Sequence, residues 1–214
     1  TWTKKSSVFI SNFIIRNSFD KKEANIMLTG GRSASSIYLK INRQLFKKYK
    51  LNIFLTDERN VSIKNKNSNY KNVLLNLFDD KIDGGAKFEP IIYPKKTLSE
   101  NLIHYSKKIP SKLDILLLTL GDDGHIASLF PNTKDILENK RKMIITTEPN
   151  KHKLRISITR KVIKNAKHIV VLVPGNKKGK ILSEMKKNRE IPANIIIKAN
   201  WLLNQSAYDE YIKD

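Results

Sequence analysis

The chain has 214 residues, no cysteine, and 41 Lys and Arg against 20 Asp and Glu, a formal charge of +21. That length suits one domain with a sizeable core, and the absence of cysteine excludes a disulfide scaffold, a Cys-ligated zinc site and a cysteine nucleophile. No apolar run approaches the roughly 18 residues of a membrane span, and the opening Thr-Trp-Thr-Lys-Lys has no signal-peptide apolar region. A soluble protein of the reducing cytoplasm is expected. The lysines come in small groups along the whole chain, from Lys4-Lys5 to Lys186-Lys187, and no single arm collects them. Solvated surface faces account for that pattern better than a nucleic-acid groove does, so no specific nucleic-acid partner is expected. Weak, salt-sensitive binding to polyanions is.

In chain order, Asn25–Thr29 reads as a buried strand running into Gly30-Gly31, followed by a helix over Ser33–Tyr49 with Ile37, Leu39, Ile41, Leu45 and Phe46 inward. Asn52–Thr56 reads as a strand ending at Asp57-Glu58-Arg59, and Asn69–Phe78 as a helix. Phe88–Tyr93 is a predicted strand punctuated by Pro90, and Leu98–Lys108 a helix with Ser99 as its N-cap. Asp114–Leu120 is apolar on both faces, as a central parallel strand should be. Met143–Thr147 and a half-exposed Arg155–Thr159 follow, then a buried strand at Ile169–Val173 and helices over Lys177–Lys187 and Trp201–Ile212. This alternation predicts an α/β fold: one domain over residues 1–214, an open, mostly parallel sheet with helices on both faces, Rossmann-like.

Four loops follow four predicted strands, and the carboxyl ends of parallel strands share one edge, where ligands bind. The first, Gly30-Gly31-Arg32-Ser33, is a candidate anion cradle: two glycines let the backbone approach a ligand, and the next helix offers free N–H groups. It is neither a Walker loop nor a complete G-x-G-x-x-G, which leaves ATP or NAD little support. The second, Asp57-Glu58-Arg59, sets a guanidinium suited to an oxyanion beside two carboxylates; alone, it would read as a surface ion pair. The third, Gly121-Asp122-Asp123-Gly124-His125, is the sharpest signal. His125 can pass protons near neutral pH, Asp123 can orient the ring or a water, and Ile126–Phe130 reads as helical, aiming further N–H groups at the site. In the fourth, Gly175-Asn176-Lys177-Lys178, either lysine could neutralise a phosphate, and Arg155 is a second candidate. His104, His152 and His168 read as surface residues. No metal-ligand spacing and no G-x-S-x-G elbow is present, so neither a metal nor a covalent nucleophile is expected.

Leu118–Pro131 (L-T-L-G-D-D-G-H-I-A-S-L-F-P) resembles the signature of 6-phosphogluconolactonases. Met27–Ala34 (M-L-T-G-G-R-S-A), Thr56–Val61 (T-D-E-R-N-V) with Ser68–Tyr70 (S-N-Y), and Val173–Lys178 (V-P-G-N-K-K) agree in order and spacing. The likeness covers nearly the whole chain and departs at Ser33, where many relatives have Thr; the hydroxyl is kept. It implies hydrolysis of 6-phospho-D-glucono-1,5-lactone in the oxidative pentose phosphate pathway, with no cofactor. In the implied arrangement His125 activates water, Asp123 orients it, and Arg59 with backbone donors stabilises the oxyanion. Gly30, Gly31, Arg32, Ser33, Asp57, Arg155 and Lys178 bind the substrate, the phosphate lying against Gly31–Ser33. A monomer is expected. The rival readings are a glucosamine-6-phosphate deaminase, which shares the fold but continues Phe-Asn-Glu-Pro where this chain has Ser128-Leu129-Phe130-Pro131, and a non-catalytic polyanion-binding protein.

Overall fold

The computed structural model describes residues 1–214 except Lys22, Asn150, Ile197 and Asp214. Six parallel strands form the main sheet: β1 (Ala24–Leu28), β2 (Leu51–Leu55), β4 (Ala86–Phe88), β5 (Leu113–Thr119), β8 (Ala166–Val173) and β9 (Asn200–Leu203). Their order is β4-β2-β1-β5-β8-β9. The chain steps outward from β1 in one direction and then returns to build on β1's other side. Right-handed crossovers therefore place α2 (Arg32–Tyr38) and α4 (Asn69–Phe78) on one face, with α5 (Leu98–Lys108) and α7 (Asn176–Glu184) on the other. β5 sits near the middle, and Leu116, Leu117 and Leu118 are at most 1% exposed, which is why its sequence is apolar on both faces.

β3 (Asp57–Arg59), β7 (Lys153–Ile158) and β6 (Met143–Glu148) leave the main sheet and form a small antiparallel one. Thr56 joins the two: its N–H donates to Leu28 O, and its carbonyl accepts from Ile158 N. The stretch Arg155–Thr159 is not half-exposed as its alternation suggested: β7 is exposed at Lys153 and Leu154 and buried from Ile156 on. Ser157 is buried between Ile156 and Ile158, and its hydroxyl accepts from Ser128 N at 3.0 Å. No described helix is long and apolar enough to cross a membrane.

Several elements differ from the sequence reading. The helix predicted over Ser33–Tyr49 is two helices, α2 and α3 (Gln44–Lys48), separated by a turn where Asn42 Oδ1 accepts from Gln44 N. Such side-chain bonds compete with the helical ladder. Ile37, Ile41, Leu45 and Phe46 stay buried across the break, while Leu39 is exposed. β4 stops at Phe88, because Pro90 has no N–H to extend an edge strand, although Ile91 and Ile92 remain in the core. Helix α5 is capped by Thr97, not Ser99, through a full capping box with Glu100. Trp201–Leu203 lies in β9 against Val171–Val173, and only Gln205–Tyr211 (α8) is helical. Helices α1 (Trp2–Ser18) and α6 (Arg160–Lys164) had no counterpart in the sequence reading.

The start of α4 is tied to β3 by one buried carboxylate. Glu58 accepts from Arg59 N, Ser68 Oγ, Asn69 N and Tyr70 N at 2.7–2.9 Å. Burial pushes its carboxyl above the usual range, and these four donors pull the other way. Ser68 also caps α4, accepting from Lys71 N. Ser68→Ala should cost about 1–2 kcal/mol in denaturant unfolding, since it removes a cap and a carboxylate partner together. An unchanged midpoint would show that this junction does not hold β3 to α4.

Candidate active site

The strand order reverses between β1 and β5, so the loops that follow these neighbours diverge and leave a crevice at their carboxyl ends. The crevice is a cleft of about 660 Å³. The loop after β1 supplies Gly30, Gly31, Arg32 and Ser33, and the loop after β5 supplies Asp123 and His125. Asp57, Arg59 and Arg155 enter from the small sheet, and Lys178 from the first turn of α7. The ten residues that the resemblance assigns to the site thus line one space.

The β1–α2 turn uses its glycines for different reasons. A Cβ on Gly30 would stand 2.0 Å from Asn69 Oδ1, so that position is closed by packing. Gly31 has φ +92° and open space around it, so there the requirement is conformational. Gly31, not Ser33, is the N-cap residue of α2, and no side chain caps the helix. Its first amides, without partners in the helix, stand at the cleft wall.

His125 and Asp123 form a tight pair. Asp123 Oδ1 lies 2.5 Å from His125 Nδ1 and also accepts from His125 N at 3.1 Å. Burial works to raise the Asp123 carboxyl, but the bonds and charge of His125 outweigh it and hold the group below its usual range. An ionised Asp123 can only accept, so Nδ1 of His125 is the donor in this pair, and in the neutral ring the lone pair is then on Nε2. Gly121 permits this ring position: a Cβ there would lie 2.2 Å from Nδ1. The ring also packs 5.2 Å from Phe130, centroid to centroid. The segment after His125 is not the helix expected. Ala127 has φ +51°, Ile126 and Leu129 form a bridge, and Ser128 turns inward. Its N–H donates to Ser157 Oγ and its hydroxyl to Asp57 Oδ2 at 2.7 Å, so those donors serve the scaffold instead of the cleft.

The cations differ in how they are held. Lys178 Nζ donates to Leu120 O and lies 3.9 Å from Asp122, while Lys177 is exposed and does not line the cleft. Burial draws the Lys178 ammonium below its usual value, and the Asp122 and Asp123 charges oppose that. Arg155 donates to Glu148 at 2.6 Å, lies 3.8 Å from Asp57 and covers the Phe130 ring at 5.7 Å. Arg59 Nη1 donates to Asn67 O at 2.5 Å. Asp57 lines the cleft with both oxygens engaged, Oδ1 by Thr56 and Oδ2 by Ser128. Asn69, Thr119, Asp122, Glu148 and Lys151 also line it, and the sequence reading did not select them. Asn69, as the centre of S-N-Y, and Thr119 and Asp122, inside Leu118–Pro131, lay in recognisable motifs; Glu148 and Lys151 carried no signal. His104 packs edge-on to Tyr93, His168 edge-on to Phe13, and exposed His152 lies outside the cleft. Among the described residues no group of three His, Asp or Glu is placed to hold a metal ion.

The chain belongs to the family of glucosamine-6-phosphate isomerases and 6-phosphogluconolactonases, whose sequence profile matches residues 8–204. Among individual relatives, the 6-phosphogluconolactonase of Synechocystis sp. is 27% identical over 221 residues, spanning 95% of this chain and 91% of that protein. The 6-phosphogluconolactonase 4 of Saccharomyces cerevisiae is 29% identical, spanning 86% and 82%. In fold, the chain is similar to the 6-phosphogluconolactonase of Thermotoga maritima, with a TM-score of 0.83 at 22% identity over 94% of both chains. It is also similar to that of Trypanosoma cruzi, with a TM-score of 0.82 at 19% identity over 99% and 93%.

Two outcomes follow from the His125–Asp123 geometry. In Gly121→Ala the added methyl should displace the imidazole, and the downfield Nδ1–H proton resonance of the pair should be lost while the backbone fold persists. A resonance unchanged from wild type would mean the ring has room to spare. Because Asp123 is held below its unfolded value, the contact stabilises the fold above the ordinary carboxylate range and stops doing so as pH falls through the lowered value. Asp123→Asn should therefore be less stable than wild type near neutrality, and denaturant midpoints should converge on acidification. A gap that widened toward acid would reverse the sign.

Proposed function

We propose that this chain hydrolyses 6-phospho-D-glucono-1,5-lactone to 6-phospho-D-gluconate. The observation that carries the reading is the Asp123-oriented imidazole of His125, set in the same cleft as Lys178, Arg59, Arg155 and the Gly31–Ser33 amides. An electrophilic sugar carbon with an anionic tail fits that combination.

In the reaction, Nε2 of His125 takes a proton from water as the water oxygen attacks C1. Asp123 supports the imidazolium that forms. The carbonyl electrons move onto the exocyclic oxygen, where Arg59 and cleft N–H groups stabilise the charge. Collapse of this intermediate re-forms the C1 carbonyl and breaks the bond to the ring oxygen, which takes the proton back from Nε2. The substrate phosphate sits against the Gly31–Ser33 amides, with Arg155 and Lys178 balancing its charge. General-base assistance of this kind is worth about 10²–10⁴-fold. The family's other activity, aminosugar ring opening, calls for an acid just after the histidine. Ser128 occupies that stretch, buried and donating to Asp57, which favours the lactonase reading.

His125→Ala should lose about 10²-fold or more of kcat in a coupled lactone assay corrected for spontaneous opening, with the unfolding midpoint nearly unchanged. Full activity in that variant would remove the proposed base. Ammonia release from glucosamine 6-phosphate would move the chain to the family's other reaction.

A further inference from the structure

Beyond the wall made by Arg59 and Arg155 the cleft adjoins a second chamber of about 570 Å³, within the range of pockets that hold small ligands. Arg59, Glu148, Lys151 and Arg155 line both spaces, whereas His152 and Lys153 line only the second. The wall is a product of register: β3 and β7 run antiparallel with Arg59 directly opposite Arg155. Like charges in that position repel, and the surroundings do not cancel them. Among the described residues Arg59 has no carboxylate partner; its guanidinium donates to the main-chain oxygen of Asn67. Glu148 is shared between Arg155 at 2.6 Å and Lys151 at 2.9 Å, and Asp57, 3.8 Å from Arg155, offsets one further charge, so Arg59 and Lys153 remain without a carboxylate. Lys153 stands opposite Glu148 in the β6–β7 register and makes no side-chain hydrogen bond or ion pair among the described residues. The Nε groups of Arg59 and Arg155 are both buried without an acceptor, which is costly to leave unmet. The overall basicity of the chain does not explain this place, because solvated surface lysines keep their water and the Arg155 side chain is only 13% exposed.

The geometry points to a second anion site in this chamber, for a small ligand carrying two or more phosphate charges, coupled to the reaction cleft through Arg59 and Arg155. More than one positive charge is left over, which favours a polyphosphate over a single phosphate monoanion. Since the same two guanidiniums wall both spaces, a ligand in the chamber lowers the positive potential the cleft offers to an anionic substrate. Occupancy of the chamber therefore weakens substrate binding and raises KM.

The site is testable with inorganic pyrophosphate by calorimetry at fixed ionic strength, using the full chain. Lys153→Glu alters the chamber alone, Lys178→Ala the cleft alone, and Lys107→Glu an exposed position on α5. Wild type, Lys178→Ala and Lys107→Glu should each bind one pyrophosphate with affinities within about threefold, and Lys153→Glu should bind about tenfold more weakly or worse. In the lactone assay pyrophosphate should raise the wild-type KM and should change the KM of Lys153→Glu far less. Loss in Lys178→Ala with retention in Lys153→Glu would put the probe in the substrate cleft and overturn the proposal. Equal loss in Lys153→Glu and Lys107→Glu, or no binding to wild type, would overturn it as well. Binding is read without turnover, so a chain inactive on the lactone would defeat the hydrolase reading and leave this one standing.

Discussion

The reversal of strand order between β1 and β5 is the constraint on which the rest depends. These two strands are hydrogen-bonded neighbours, yet the chain leaves them toward opposite faces of the sheet. Their loops must part, and the gap between them is lined with peptide groups and polar and charged side chains. Parallel strands also end on the same side, so Gly31 and His125, which are far apart in sequence, meet without any long-range motif specifying it. Apolar burial along β1 and β5 fixes the two strand ends and therefore the relative placement of the imidazole and the diglycine turn.

Around that gap the protein has to keep charge in poorly hydrated places, and it does so by giving each group a defined partner. Asp57, Glu58 and Arg59 are consecutive but do three different things. Asp57 is held by Thr56 and Ser128, Glu58 fastens the start of α4, and Arg59 points its guanidinium at Asn67 and the cleft. The alternation of the strand sends Glu58 to the face opposite Asp57 and Arg59, which both line the cleft. Ser128 and Ser157 complete the seam by using their hydroxyls between β3, β7 and the loop after β5. The small sheet is thus the back wall of the cleft, and its rigidity rests on buried polar bonds as much as on Ile156 and Ile158.

Much of this was legible in the sequence wherever short-range chemistry decides the outcome. The apolar run of β5, the i, i+4 spacing of Ile37, Ile41 and Leu45, and the helix over Asn69–Phe78 each follow from local periodicity. So did the four loops, since glycine beside polar residues after an apolar run marks a strand end. Periodicity failed where a single bond or pairing decides. Asn42 interrupts a pattern that continues in burial across the break, and Trp201–Leu203 carries side chains that suit either a helix or an edge strand until β8 offers it backbone partners. Ser128 fell inside the helix predicted over Ile126–Phe130 because nothing local reveals that Asp57, 71 positions away, accepts from its hydroxyl.

What the sequence by itself determined was the class of fold, the loops that carry chemistry and the residue types in them, because hydrophobic period, glycine placement and ionisable side chains are local properties. Only the tertiary structure decided which of Lys177 and Lys178 turns inward, that Asp57 and Glu58 serve the scaffold, and that Arg59 faces Arg155 across two strands. Those outcomes depend on register and on which buried donor finds which acceptor, and both are settled only when distant segments pack together.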